Sequence, residues 1–149
     1  MEDLTFNILL VEDDEVDIMN VKRAFKKINV SSTLFLASDG LEALALLRQE
    51  QDPSDSFDSS NKISINRLLI LLDLNMPKMN GIEFLRELRA DEKLKSLPVV
   101  VLTTSNQEQD RVEAYQFNVA GYLVKPVVFN NFVETMAAFS QYWKLCKMP

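Results

Sequence analysis

Histidine is absent from the 149 residues, so no imidazole can serve as base, phosphocarrier or metal ligand in any chemistry assigned to this chain. Cysteine occurs once, as Cys146 near the C-terminus, which excludes an internal disulfide and fits a reducing cytoplasm. The three glycines, Gly40, Gly81 and Gly121, are too scattered to form the Gly-rich loop that holds a dinucleotide. Positive charge is in deficit. Sixteen Lys and Arg face 22 Asp and Glu, for a net charge of −6, and no basic patch is present to neutralise nucleic-acid phosphates. The longest aliphatic run, Leu68-Leu69-Ile70-Leu71-Leu72, is far short of the ~20 residues that span a bilayer. The opening Met1-Glu2-Asp3 is acidic where an export signal is basic. These absences lead us to expect a cytoplasmic protein with neither a membrane nor a nucleic-acid partner.

What is present is ordinary for one globular domain: 47% hydrophobic and 26% charged residues. Short apolar runs alternate with amphipathic stretches five times. The runs are residues 7–11, 32–37, 68–72, 99–102 and 121–124. The amphipathic stretches are 15–28 with Asp14 as N-cap, a helix opening at Asp39 and Glu42 and running to about 48, one opening at Asn80 and Glu83 and running to about 89, 105–117 capped by Ser105 and Glu108, and 129–143. Strands apolar on both faces and separated by helices imply a parallel sheet covered on both sides. Right-handed crossovers then give a flavodoxin-like, doubly wound α/β domain with five strands in the order 2-1-3-4-5 and five helices. A single domain with a core at about 5–143 is expected, followed by a short extension at 144–149. Residues 51–66, rich in Ser and Asp and containing Pro53, read as a mobile loop. The loop precedes a strand, at the edge of the sheet opposite the one where such folds bind ligands.

The residues able to do chemistry fall at the carboxyl ends of strands: Glu12, Asp13 and Asp14 after the first, Asp73 after the third, Thr103 at the fourth and Lys125 at the fifth. In a parallel sheet these ends meet along one edge. Crowded carboxylates repel, so either a pKa rises or a cation neutralises them. Oxygen ligands without His or Cys select Mg²⁺ or Mn²⁺ over zinc. Asp13 and Asp73 supply two carboxylates for such an ion, with Glu12 acting through a water. An aspartate, ionised at neutral pH without a base, is also a nucleophile toward phosphorus. Lys125 and Thr103 are suited to stabilise a transferring phosphoryl group.

Four blocks together resemble the receiver domains of two-component response regulators. They are Val11-Glu12-Asp13-Asp14; Leu72-Asp73-Leu74-Asn75-Met76-Pro77 with Asn80-Gly81; Leu102-Thr103-Thr104-Ser105; and Gly121-Tyr122-Leu123-Val124-Lys125-Pro126. The resemblance implies that Asp73 is the phosphoacceptor and that Asp13, Asp73 and the backbone carbonyl of Asn75 bind Mg²⁺, with Glu12 at the second acidic position. It further implies that Thr103 and Lys125 contact the phosphoryl group, that the Lys125–Pro126 peptide is cis, and that Thr103 and Tyr122 form a switch pair. The second and third blocks, the long segment before the third strand and the C-terminal Trp143…Met148-Pro149 are similar to the small regulators paired with cyanobacterial phytochromes. A phytochrome-type sensor histidine kinase is therefore the expected donor. With few residues beyond the last helix, the output is expected to be protein–protein contact.

Plainer readings exist for each residue. Asp14 is expected only to cap the next helix, and Lys125 alone could be a solvated lysine before a turn. Thr103 could be an ordinary strand residue, and Tyr122 a partly buried ring. In the last helix Phe129, Phe132, Met136, Phe139 and Trp143 recur at alternating three- and four-residue spacing. Core packing explains part of that pattern, and the remainder suggests a homodimer through the C-terminal part of this helix. The competing function is a Mg²⁺-dependent phosphohydrolase with an aspartyl-phosphate intermediate, similar to the haloacid dehalogenase-like enzymes. Those enzymes use Asp-x-Asp, and here Asn75 at the +2 position cannot protonate a leaving group. A receiver-like module that is never phosphorylated is the third reading, against which the full set of acids, Thr103 and Lys125 weighs.

Overall fold

Alternation within the apolar strands decides the architecture. In the computed structural model, which describes residues 6–30, 32–50, 65, 67–126 and 128–147, the strands are β1 (Asn7–Val11), β2 (Leu34–Ala37), β3 (Leu68–Leu72), β4 (Val99–Thr103) and β5 (Gly121–Val124). They pair in parallel in the order β2-β1-β3-β4-β5. Successive side chains point to opposite faces. Leu9, Val11, Leu68, Ile70, Leu72, Val99 and Val101 therefore join one core, while Ile8, Leu10, Leu69, Leu71, Val100 and Leu102 join the other.

Helices α1 (Glu15–Lys27) and α5 (Phe129–Leu145) cover the second core with Val21, Ala24, Phe25, Phe132, Met136 and Trp143. Helices α2 (Gly40–Glu50), α3 (Gly81–Ala90) and α4 (Glu108–Gln116) cover the first, led by Leu44, Leu47, Phe84, Leu85 and Leu88. Both faces of β3 and β4 are fully buried, as a doubly wound sheet requires.

The helix starts differ in how far local chemistry sets them. Asp14 caps α1, accepting from the N–H groups of Val16 and Asp17. Asn80 and Glu83 form a complete capping box at α3. At α2 only half of the expected box forms: Asp39 accepts from Glu42 N–H at 2.9 Å, but Glu42 reaches back to the N–H and hydroxyl of Ser38 instead. Helix α4 begins at Glu108 with Gln107 as its N-cap, two residues after the expected Ser105 cap; Ser105 Oγ instead donates to Asp110 in the first turn and is approached by the Gln107 N–H at 3.4 Å. Residues 51–66, apart from Ile65, and 148–149 lie outside the described residues.

Arg89, near the end of α3, was not singled out by its sequence. Its guanidinium donates to the carbonyls of Phe117 (2.7 Å), Lys95 and Leu97 (2.8 Å each) and Asn118 (3.2 Å). One side chain thus ties the segments entering β4 and β5 to α3.

Candidate functional site

Backbone hydrogen bonds carry the sheet ladders one residue past the strands and so fix the site. Glu12 N–H donates to Ala37 O (2.9 Å), Asp73 N–H to Val11 O (3.0 Å) and Lys125 N–H to Thr103 O (2.8 Å). Each functional side chain is therefore held at the carboxyl edge by the same register that pairs Val11 with Leu72 and Thr103 with Val124.

The side chains expected from sequence converge. Asp73 is 6% exposed and Thr103 fully buried. The Thr103 hydroxyl donates to Asp73 Oδ1 at 2.7 Å, and the Asn75 N–H approaches the same oxygen at 3.4 Å. Lys125 Nζ contacts Glu12 directly, donates to Asp17 Oδ2 at 2.9 Å, and lies 3.8 Å from Asp73 Oδ2. Carboxylate oxygens of Glu12, Asp13 and Asp73 all lie within 4.8 Å of one another. Glu12 and Asp73 are buried and Asp13 is exposed, so this acidic trio is anchored on one side and open to solvent on the other. An all-oxygen donor set of this density fits a hard divalent cation.

Electrostatics reinforces that fit. Burial pushes the Glu12 carboxyl up to about 8, helped by neighbouring Asp73 and opposed by Lys125. Burial alone would lower Lys125, but the hydrogen bond to Glu12, the charge of Asp73 and the hydrogen bond to Asp17 together raise it. One ammonium thus serves three carboxylates, and the cluster is short of positive charge.

Tyr122 and Thr103 share no direct hydrogen bond. Its hydroxyl donates to Ser105 O at 3.0 Å, while Ser105 N–H approaches Thr103 Oγ1 at 3.4 Å, so Ser105 joins the two. Burial raises the Tyr122 phenol, which keeps it a neutral donor. The sequence reading treated Ser105 as a helix cap and missed this link. It also missed Asp17, whose partner Lys125 lies far along the chain.

One expectation is corrected. The Lys125–Pro126 peptide is trans, and no cis bond occurs among the described residues. A tertiary amide favours trans by about 0.5–1 kcal/mol, and the carboxylates of Glu12 and Asp17 already hold the Lys125 side chain in this arrangement.

A family model for the response regulator receiver domain matches residues 8–137. Among curated proteins, the probable methanogenesis regulatory protein FilR2 of Methanothrix harundinacea is 36% identical over 93% of this chain and 83% of its own length. Response regulator Rcp1 of Synechocystis is 36% identical over 91% of this chain and 87% of its own. The Mn²⁺-bound structure of Rcp1 matches with a TM-score of 0.80 at 35% identity, over 97% of this chain and 99% of that one. The phosphorylated cyanobacterial phytochrome response regulator RcpA matches with a TM-score of 0.81 at 33% identity, again over 97% and 99%. On the family match, these relatives and the shared fold, the chain belongs to the receiver-domain family of two-component response regulators.

Proposed function

We propose that this receiver accepts a phosphoryl group on Asp73 from a phosphohistidine of a sensor kinase, most fittingly one of phytochrome type. The observation that carries the reading is the position of Asp73: a carboxylate at the open sheet edge, with the Thr103 hydroxyl on one oxygen and the Lys125 ammonium facing the other. An Asp73 oxygen attacks phosphorus, the donor's N–P bond breaks, and the electron pair leaves with the kinase's imidazole. The Thr103 hydroxyl and Lys125 Nζ then turn to the phosphoryl oxygens, so the protein assists its own phosphorylation; water attacking the phosphorus later breaks its bond to the Asp73 oxygen, releasing inorganic phosphate and restoring the carboxylate. Asp13, Asp73 and the Asn75 carbonyl, with Glu12 acting through a water, would hold Mg²⁺ or Mn²⁺, which supplies neutralisation of the gathered negative charge. The link from Thr103 through Ser105 to Tyr122 supports the Thr103–Tyr122 pair as the switch that reports the modification.

The hydrolase reading is disfavoured because Asn75 supplies no proton to a leaving group. The donor assignment draws on RcpA being a phytochrome response regulator, whereas FilR2 is described as a probable methanogenesis regulatory protein. Transfer assays with phosphorylated kinases test the donor assignment. We expect a phytochrome-type kinase to label this protein faster than unrelated histidine kinases at equal concentration. The reverse ranking would sink the donor assignment while leaving the acceptor reading intact. No helix among the described residues is long and apolar enough to cross a membrane, and we place the exchange in the cytoplasm.

Self-association is proposed on narrower ground than the sequence gave. Phe129, Phe132, Met136, Phe139 and Trp143 all pack on the core, leaving Tyr142 at 64% and Leu145 at 83% exposed. The end of α5 is the surface through which two copies would pair. Sedimentation at tens of micromolar should show a dimer in the wild type and its loss in Leu145→Glu; a monomeric wild type, phosphorylated or not, rules the pairing out.

A further inference from the structure

We propose that Asp17 is a positioning residue, the resting counter-ion of Lys125, from which the ammonium is drawn when a phosphoryl group arrives at Asp73. The inference rests on the acceptor reading above and adds a residue that the four sequence blocks do not contain.

Three carboxylates compete for one ammonium. Two of them, Glu12 and Asp17, are in hydrogen-bond contact with Lys125 Nζ, whereas Asp73 lies beyond hydrogen-bond range at 3.8 Å. Lys125 has three N–H groups, and in this state two are committed to the β1–α1 side of the site. Asp17 is fixed there by its helix. It stands in the first turn of α1, where a negative charge is favoured by the helix dipole, and its own N–H is held by the cap, Asp14.

Phosphorylation converts a carboxylate with one negative charge into an acyl phosphate with about one more. The pull on Lys125 from the Asp73 side then grows while the pull from Asp17 stays constant. Closing 3.8 Å to hydrogen-bond distance requires a shift of about 1 Å, well within the reach of a lysine chain. Little obstructs it. The Lys125–Asp17 contact borders a cavity of about 50 Å³ lined by Asp17, Asn20, Lys125, Pro126, Phe129 and Phe132. The Asp17 side chain is 29% exposed, so water can replace the departing ammonium. Glu12, at 2% exposure, has no such substitute and keeps its contact. Asp17 is thus the partner that releases, and it sets how much of the phosphoryl group's attraction goes into moving the lysine.

The test measures beryllofluoride, a phosphoryl analogue, binding to Mg²⁺-loaded protein by fluorine NMR. Asp17→Asn should bind it roughly tenfold more tightly than wild type, the scale of one charge-assisted hydrogen bond no longer opposed. Asp17→Glu, which keeps the charge, should return towards the wild-type affinity. Glu15→Gln removes the same charge from an exposed position in the same helical turn and should change little. In the metal-free protein, the Lys125 ammonium resonance should move in Asp17→Asn and not in Glu15→Gln. Equal or weaker binding by Asp17→Asn, an equal gain in Glu15→Gln, or an unmoved ammonium resonance would each overturn the proposal. If wild type binds no beryllofluoride, or Asp73→Asn binds it as well, the acceptor reading fails first. The metal-free resonance still reports separately on the Asp17–Lys125 pair.

Discussion

Replacing Lys125 with Ala should cost the metal-free protein on the order of 3 kcal/mol, the scale of removing one partner from a buried ion pair. Glu12 and Asp73 are almost fully enclosed and would have no cation facing them wherever they carry charge. The loss should grow with pH. Burial already raises Glu12 to about 8 from an ordinary carboxyl value of 4.5, and removing the ammonium removes an influence that lowers it. A native carboxyl that stays protonated where the unfolded chain is ionised binds more protons than the unfolded state, so stability falls as pH rises across that interval. Without Lys125 the interval widens upward, and the gap between variant and wild type should be small near pH 5 and largest above pH 8. Mg²⁺ should stabilise Lys125→Ala more than wild type, because the bare site is more negative. Urea unfolding followed by the fluorescence of Trp143, the sole tryptophan, checks all three statements. A variant as stable as wild type at pH 8 without metal would contradict them. Lys125→Ala should still accept some phosphoryl group, because Asp73 and Thr103 remain, but it should relay the signal poorly.

The second large effect is expected at Gly81. A Cβ there would lie 2.6 Å from Asp73 O and 2.7 Å from Leu74 Cα, with Leu74 Cδ2 at 2.8 Å. Two of these three atoms are backbone and cannot rotate away. Alanine would ordinarily favour a helix over glycine by about 1 kcal/mol. Here the clash decides the sign, and Gly81→Ala should destabilise the fold by about 2–4 kcal/mol net. It should also impair phosphorylation in the protein that remains folded, because relief of the clash moves the backbone of Asp73 itself. Gly121→Ala is the internal control. Its nearest neighbours are the Val100 methyls at 3.9 and 4.0 Å, ordinary contact distances, so stability should stay within about 0.5 kcal/mol of wild type. Equal behaviour of the two variants would show that the close approach of α3 to Asp73 is not a constraint.

Why these two residues matter was only partly legible in the sequence. The strands were readable because a parallel sheet covered on both faces leaves runs such as Leu68–Leu72 apolar throughout, and their order placed Glu12, Asp13, Asp73, Thr103 and Lys125 on one edge. Local hydrogen bonding was less reliable wherever one side chain had two possible partners. Glu42 chose Ser38 over the helix end, and Ser105 chose Asp110 over capping α4. Asp17 and Arg89 were invisible for a different reason. Their partners lie outside their own helices, Lys125 in one case and carbonyls of residues 95–118 in the other, and no helical spacing announces such contacts. The trans Lys125–Pro126 bond departs from an expectation that rested on resemblance alone. The aromatic spacing of α5 announced burial correctly, but it could not say how much the sheet would absorb. The core between the sheet, α1 and α5 takes all five of those side chains.

The central claim is that Asp73 is the phosphoacceptor. The measurement that tests it most directly is the intact mass of the protein after incubation with Mg²⁺ and acetyl phosphate, for wild type and Asp73→Asn. A persistent single-phosphate adduct that requires both Asp73 and Mg²⁺ is the predicted result. An adduct of equal yield on Asp73→Asn, or none on wild type under any divalent-ion condition, would contradict it.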